Sequence, residues 1–161
     1  MSVNNYRDHL FILPEDDANR QLANGFILNQ DINLRSIQIL PPAGGWSKVL
    51  NKFTEIHAHE MKKYGCRMML LLVDFDQDKE RLIHIKSKIP QELADRVFVL
   101  GVWSEPEKLR TKTRKTFEKI GYSLAEECPA SKNELWADDL LRHNEDELDR
   151  IIASAGSFLF T

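Results

Sequence analysis

The chain predicts an α/β domain, with a three-layer α/β/α arrangement around a mainly parallel sheet of four or five strands. Three observations carry this expectation. The unbroken apolar runs Leu10-Phe11-Ile12-Leu13, Met68-Met69-Leu70-Leu71-Leu72-Val73 and Val97-Phe98-Val99-Leu100 have the length and composition of strands covered on both faces. Segments of helical periodicity separate them, the alternation that gives a parallel sheet its crossovers. Two of the runs end in acid, at Glu15-Asp16-Asp17 and at Asp74-Phe75-Asp76-Gln77-Asp78, and open parallel sheets hold their ligands at that end of the strands.

The elements follow in order. Residues 9–13 form the first strand, and Asp16 or Asp17 caps a helix in which Ala18, Leu22 and Phe26 share a face. Residues 36–40 form a short second strand. Pro41-Pro42-Ala43-Gly44-Gly45 makes a rigid turn followed by a permissive one, and residues 46–64 carry helical periodicity through Val49, Leu50, Phe53, Ile56 and His57 up to a stop at Gly65. Residues 68–73 form the third strand. Residues 79–93 are mainly helical with an interruption near Pro90, and residues 97–102 form the fourth strand. Pro106 opens a helix that runs to Ile120, with Gly121 as its stop. A further helix is expected over residues 134–155, broken near His143-Asn144, with residues 157–160 as an edge strand.

Composition narrows the function classes. With 161 residues, 42% of them hydrophobic, the chain can bury one proper core, and a single domain over 1–161 with a helical extension from about 106 is expected. A net charge of -3 gives no bulk attraction to polyanions, so any nucleic-acid binding must come from a local patch. Cys66 and Cys128 have no close metal-ligand spacing and suggest reduced, structural thiols. No stretch reaches the roughly 18 apolar residues of a membrane span, and residues 1–8 lack a secretory apolar core, so the expected location is cytoplasmic without membrane contact.

The acids carry the chemistry. Asp74 and Asp76 alternate with Phe75, so in extended geometry their carboxylates point the same way and can hold Mg²⁺ or Mn²⁺, hard ions satisfied by one or two carboxylates, water and substrate phosphate. If the first and third strands are neighbours, Glu15 faces Asp74 as a further ligand or as a general acid/base. Asp16, Asp78 and Glu105 are candidates for an outer shell. The bland alternative is that these acids cap helices and form turns, and Gly44-Gly45 needs no role beyond turning after the prolines.

A glutamate after strand one, glycines after strand two and an Asp-x-Asp after strand three make the order of features resemble the TOPRIM domain. That domain occurs in topoisomerases, primases, overcoming-lysogenization-defect nucleases and small uncharacterised bacterial proteins, the last being the most similar. The matching residues are Glu15, Gly44-Gly45 and Asp74-Phe75-Asp76, and the resemblance covers about the first two thirds of the chain. It implies Mg²⁺- or Mn²⁺-dependent phosphoryl transfer, with nucleic-acid cleavage as the activity, Asp74 and Asp76 holding the ion and Glu15 managing protons or a second ion. It also implies nucleic acid and a separate ATPase as partners, and a homodimer is a further expectation. Two departures stand out: Asp16 occupies the place where the family has glycine, and Asn19 lies near that of a second acid.

Two other readings compete. One is a noncatalytic binding or regulatory subunit of the same fold. The other is a phospho-receiver, with Asp74 as phosphoacceptor and Ser104 as switch hydroxyl, but a receiver needs a lysine after a fifth strand, usually before proline, and no proline here follows lysine. Outside the acids, Lys108, Lys112, Lys115 and Lys119 recur at helical spacing as a stripe along which a phosphate backbone could lie, although such a face is more often only solvated. His57 and His59 lack the i, i+4 spacing of a zinc pair, and Trp103 and Trp136 read as core aromatics.

Overall fold

The apolar runs form one all-parallel sheet in the computed structural model, which describes residues 2–128 and 134–161. From β1 (His9–Pro14) the chain passes through α1 (Asp17–Ile27) to β2 (Ile37–Ile39). A long helix follows, made of α2 (Trp46–Lys52), a π-helical turn (Phe53–His57) and α3 (Ala58–Lys63). It leads to β3 (Arg67–Leu72), α4 (Lys79–Ser87) and β4 (Val97–Leu100). The strand order is β2-β1-β3-β4, and β1 pairs with β3 from His9↔Arg67 to Pro14↔Leu72. Sequence direction therefore reverses between β1 and β3, which makes that boundary the switch point of the sheet.

Strand alternation divides the apolar side chains between two cores. Leu10, Ile12, Leu70, Phe98 and Leu100 pack on one face with α1 and the C-terminal helices. Phe11, Leu13, Met69, Leu71, Val97 and Val99 pack on the other, against residues of the long helix and Ile85 of α4. Among the described residues no helix is long and apolar enough to cross a membrane.

The last third departs from the expected pattern. The helix expected from Pro106 to Ile120 is two helices, α5 (Pro106–Thr113) and α6 (Phe117–Glu127). Arg114 breaks the run with a left-handed backbone (φ 57°), and Thr116 starts the second helix by accepting a hydrogen bond from the Lys119 amide at 3.2 Å. Gly121 is not a stop. It lies inside α6, where a Cβ would come within 2.0 Å of the Leu22 carbonyl oxygen, so its small size lets α6 approach α1. Lys108 and Lys112 belong to α5, Lys115 to the connection and Lys119 to α6, so the four lysines do not share one helical face. Lys112 is also engaged, paired with Asp138 at 2.8 Å.

Residues 134–141 are turns rather than helix, and α7 (Glu145–Leu159) begins after a 3-10 turn over Arg142–Asn144. The tail is therefore the end of a helix and not an edge strand; Phe160 makes a single antiparallel bridge with Ile32. Side chains before and along α7 close the outer edge of β4. Asn144 accepts from the Gly101 amide (3.1 Å) and donates to its carbonyl (2.9 Å), the Glu147 carboxylate accepts from the Val99 amide (3.2 Å), and Arg150 donates to the Ala94 carbonyl (2.6 Å). The groups that would pair with a fifth strand are thus satisfied by a helix.

Candidate metal centre

The site is built where the ends of β1 and β3 meet. The Glu15 amide continues the ladder by donating to the Leu72 carbonyl (2.9 Å), and the Glu15 carbonyl accepts from Gly44 (2.8 Å) and Gly45 (3.1 Å). Those glycines have φ of 98° and 144°, a backbone in which a side chain is strained, so the Pro-Pro-Ala-Gly-Gly turn can fold back onto Glu15. The Glu15 carboxylate crosses to β3 and accepts from the Asp74 amide at 2.6 Å. The Trp46 amide, at a helix start whose N-cap, Gly45, has no side chain to offer, also favours the ionised Glu15 carboxylate.

Asp16 caps α1, its Oδ1 accepting from both the amide and the side-chain Nδ2 of Asn19, each at 3.0 Å. The same Asn19 Nδ2 donates to Asp74 Oδ1 at 3.0 Å. Asn19 is wholly buried and bridges the two acids from below, while its Oδ1 has no protein partner. Glu15, Asp16 and Asp74 each present an oxygen within 4.8 Å of the other two, a grouping that can hold a metal ion. An all-oxygen donor set of this size fits a hard divalent cation that keeps part of its water shell, so the donor chemistry matches the expected metal class.

Burial and mutual repulsion shape the acids. Asp74 is pushed up to about 7, first by burial and then by the charges of Glu15, Asp16 and Glu107, against the lowering effect of the Asn19 hydrogen bond. Glu15 is also raised, chiefly by burial, with the Asp74 amide and the Arg81 charge opposing. Three crowded carboxylates in a half-buried recess are thus short of positive charge.

The other candidate residues sit elsewhere. Asp76 does not continue the extended geometry that would align it with Asp74: Asp76 and Gln77 have φ of 50° and 58°, and the Asp76 side chain is 81% exposed, with Arg81 Nη2 at 3.9 Å. Two consecutive left-handed residues that are not glycine cost on the order of 1 kcal/mol each. Asp78 caps α4, accepting from the Glu80 amide at 3.0 Å. Glu105 is exposed at the N-cap of α5 and makes no capping hydrogen bond, whereas Glu107, two residues on, contributes to the field at Asp74.

Comparison with protein-family models, curated proteins and solved structures finds no match to this chain. Two residues in the site have no obvious strand-end signature in the sequence. Asn19 stands three residues after the N-cap Asp16, where a short polar side chain on the inner helix face was the available signal. Arg81, one turn into α4, donates from Nη1 to the Asp74 carbonyl (2.7 Å), and its guanidinium carbon lies 4.8 Å from the centre of the Trp46 ring.

Proposed function

We propose that the protein is a divalent-metal-dependent phosphoryl-transfer domain of TOPRIM-like fold whose activity is cleavage of nucleic-acid phosphodiesters. The observation that carries this reading is the convergence of Glu15, Asp16 and Asp74 at the switch point between β1 and β3. Glu15, Asp16 and Asp74 would hold Mg²⁺ or Mn²⁺, which supplies charge stabilisation at a phosphoryl oxygen when bound. Glu15 is fixed by the Asp74 amide, whose hydrogen bond opposes the burial that raises its carboxyl. Asp74, with Oδ1 taken by Asn19 and its carboxyl pushed up to about 7, would release its proton as positive charge arrives.

This assignment refines the expected roles: Asp16 joins Glu15 and Asp74, and Asp76 stands apart. The receiver reading is disfavoured because side chains of Asn144, Glu147 and Arg150 occupy the β4 edge where a fifth strand and its lysine would lie. The test is nicking of single- and double-stranded DNA and RNA with Mg²⁺ or Mn²⁺. Wild type is expected to cleave and Asp74→Asn to lose at least about a hundredfold in rate, the scale of losing a charge-stabilising group. Cleavage that survives Asp74→Asn unchanged would remove this centre from the reaction. Phosphorylation of Asp74 by a small phosphodonor, without nicking, would favour the receiver.

A further inference from the structure

The Arg81 guanidinium is held on one side and short of partners on another. Nη1 is committed to the Asp74 carbonyl at 2.7 Å and the plane is stacked on Trp46, whose other contacts include the His84 ring edge-on at 5.8 Å. The group therefore has a fixed position, with only 14% of the side chain exposed. Among the described residues its buried Nε has no hydrogen-bond partner, and Nη2 has only the Asp76 carboxylate at 3.9 Å, too far for a hydrogen bond. Nε and Nη2 form one edge of the guanidinium fork, the edge that binds a carboxylate or phosphate through two parallel hydrogen bonds. A rigid fork with that edge unfilled, beside a cluster of carboxylates, is matched to an oxyanion and not to another cation.

We propose that Arg81 is the phosphate receptor of this crevice, taking two phosphoryl oxygens on its Nε–Nη2 edge in exchange for the loosely held Asp76 carboxylate. The inference rests on reading the acidic recess as a phosphoryl-transfer site and adds the residue that receives the substrate. Asp76 is suited to leave. Its side chain is largely in solvent, and its backbone and that of Gln77 occupy the left-handed region, held by hydrogen bonds that the Asp76 amide donates to the Ser104 carbonyl (3.3 Å) and the Gln77 amide to the Trp103 carbonyl (2.7 Å). The receptor is tied to a metal ligand through the Asp74 carbonyl, which accepts from Nη1 and leaves the opposite, Nε–Nη2 edge for the phosphate.

The test follows the arginine Nε–H resonances of the metal-free protein by NMR during titration with inorganic phosphate and, separately, with a short oligothymidylate. The Arg81 signal is assigned by its loss in Arg81→Lys. A saturable shift of that signal is expected with at least one probe, and the tighter probe tells a phosphomonoester from a phosphodiester source. Followed by the backbone amide shifts, binding to Arg81→Lys is expected to be about tenfold weaker than to wild type, since lysine cannot offer the fork. Asp76→Asn is expected to tighten it severalfold by removing the competing carboxylate, whereas Asp78→Asn, which deletes a nearby charge but keeps the helix cap, leaves it within twofold. An Arg81 signal unmoved at saturation, or equal tightening by Asp76→Asn and Asp78→Asn, overturns the proposal. Mn²⁺ binding measured in parallel separates the two claims: a metal without a phosphate response removes the receptor alone, and a phosphate response without metal binding removes the metal reading alone.

Discussion

Asp74 is where burial and charge are most at odds. Its pKa, raised to about 7 from an ordinary 3.8, means that the folded protein favours the protonated acid. Stability from this group is complete below the ordinary value and is lost as pH rises towards 7. Asp74→Asn should therefore raise the melting temperature of the metal-free protein at pH 8 by roughly 4–8 °C, equivalent to about 2 kcal/mol for a chain of this length. Thermal denaturation in EDTA checks this; an unchanged or lower melting temperature would mean that the acid is not strained. Arg67 is the contrasting case, a buried charge with every side satisfied. It bonds His9, Glu60 and Asn5, and its guanidinium lies 4.1 Å from the Phe11 ring and 4.8 Å from the Tyr64 ring. It plugs the N-terminal end of the sheet and leaves no edge free, which is the difference from Arg81.

At the scale of elements, close approach of α1 and α6 depends on two glycines. A Cβ on Gly25 would come within 1.9 Å of the Glu118 carbonyl oxygen, and one on Gly121 within 2.0 Å of that of Leu22. Backbone atoms cannot yield as a side chain would, so Gly121→Ala should cost about 2–4 kcal/mol, read as a lower denaturation midpoint in urea. A loss below about 0.5 kcal/mol would show that the helices separate freely. These contacts also explain what the sequence concealed. Three of the strands were legible because each holds an unbroken apolar run, β2 through the alternation of Ile37-Gln38-Ile39, and α1 because Asp16 precedes a clear inner face. The break between α5 and α6 was not, because Arg114 adopts the left-handed conformation without glycine or proline to announce it. Gly121 looked like a stop because a glycine chosen for tertiary contact and one chosen for termination read alike. The break expected near His143-Asn144 falls where α7 begins, but residues 134–141 are turns and α7 continues to Leu159, past the expected end at 155, while its polar inner residue Glu147 serves the β4 edge and interrupts the apolar period.

The whole molecule joins these parts into a sheet with a polar plug at one end and an acid-lined recess at the other. The buried histidines and the crowded acids respond to pH in opposite senses. His9, His57 and His143 are all lowered from 6.5, first by burial, so their stabilisation is complete above that value and declines as pH falls below it. Asp74 and Glu15 act in the opposite sense as pH rises. In EDTA the melting temperature should fall from pH 6 to pH 8, and Mn²⁺ should cancel most of that fall; a metal-independent profile would argue against an ion at the acids. The site was legible in part for the same geometric reason. Glu15 and Asp74 lie at strand ends, and strand order alone brings them together. Asn19 and Arg81 reach the site across the fold, and Asp76 is turned away by backbone angles that nothing in its sequence announces. The most direct test is calorimetric titration of Mn²⁺ at pH 7 in buffers of different ionisation heat. One ion per chain with proton release is predicted, weakened at least about tenfold by Asp74→Asn and by Glu15→Gln, and within about threefold of wild type in Asp76→Asn. Absence of binding, or binding that Asp74→Asn and Glu15→Gln leave unchanged, would contradict the account.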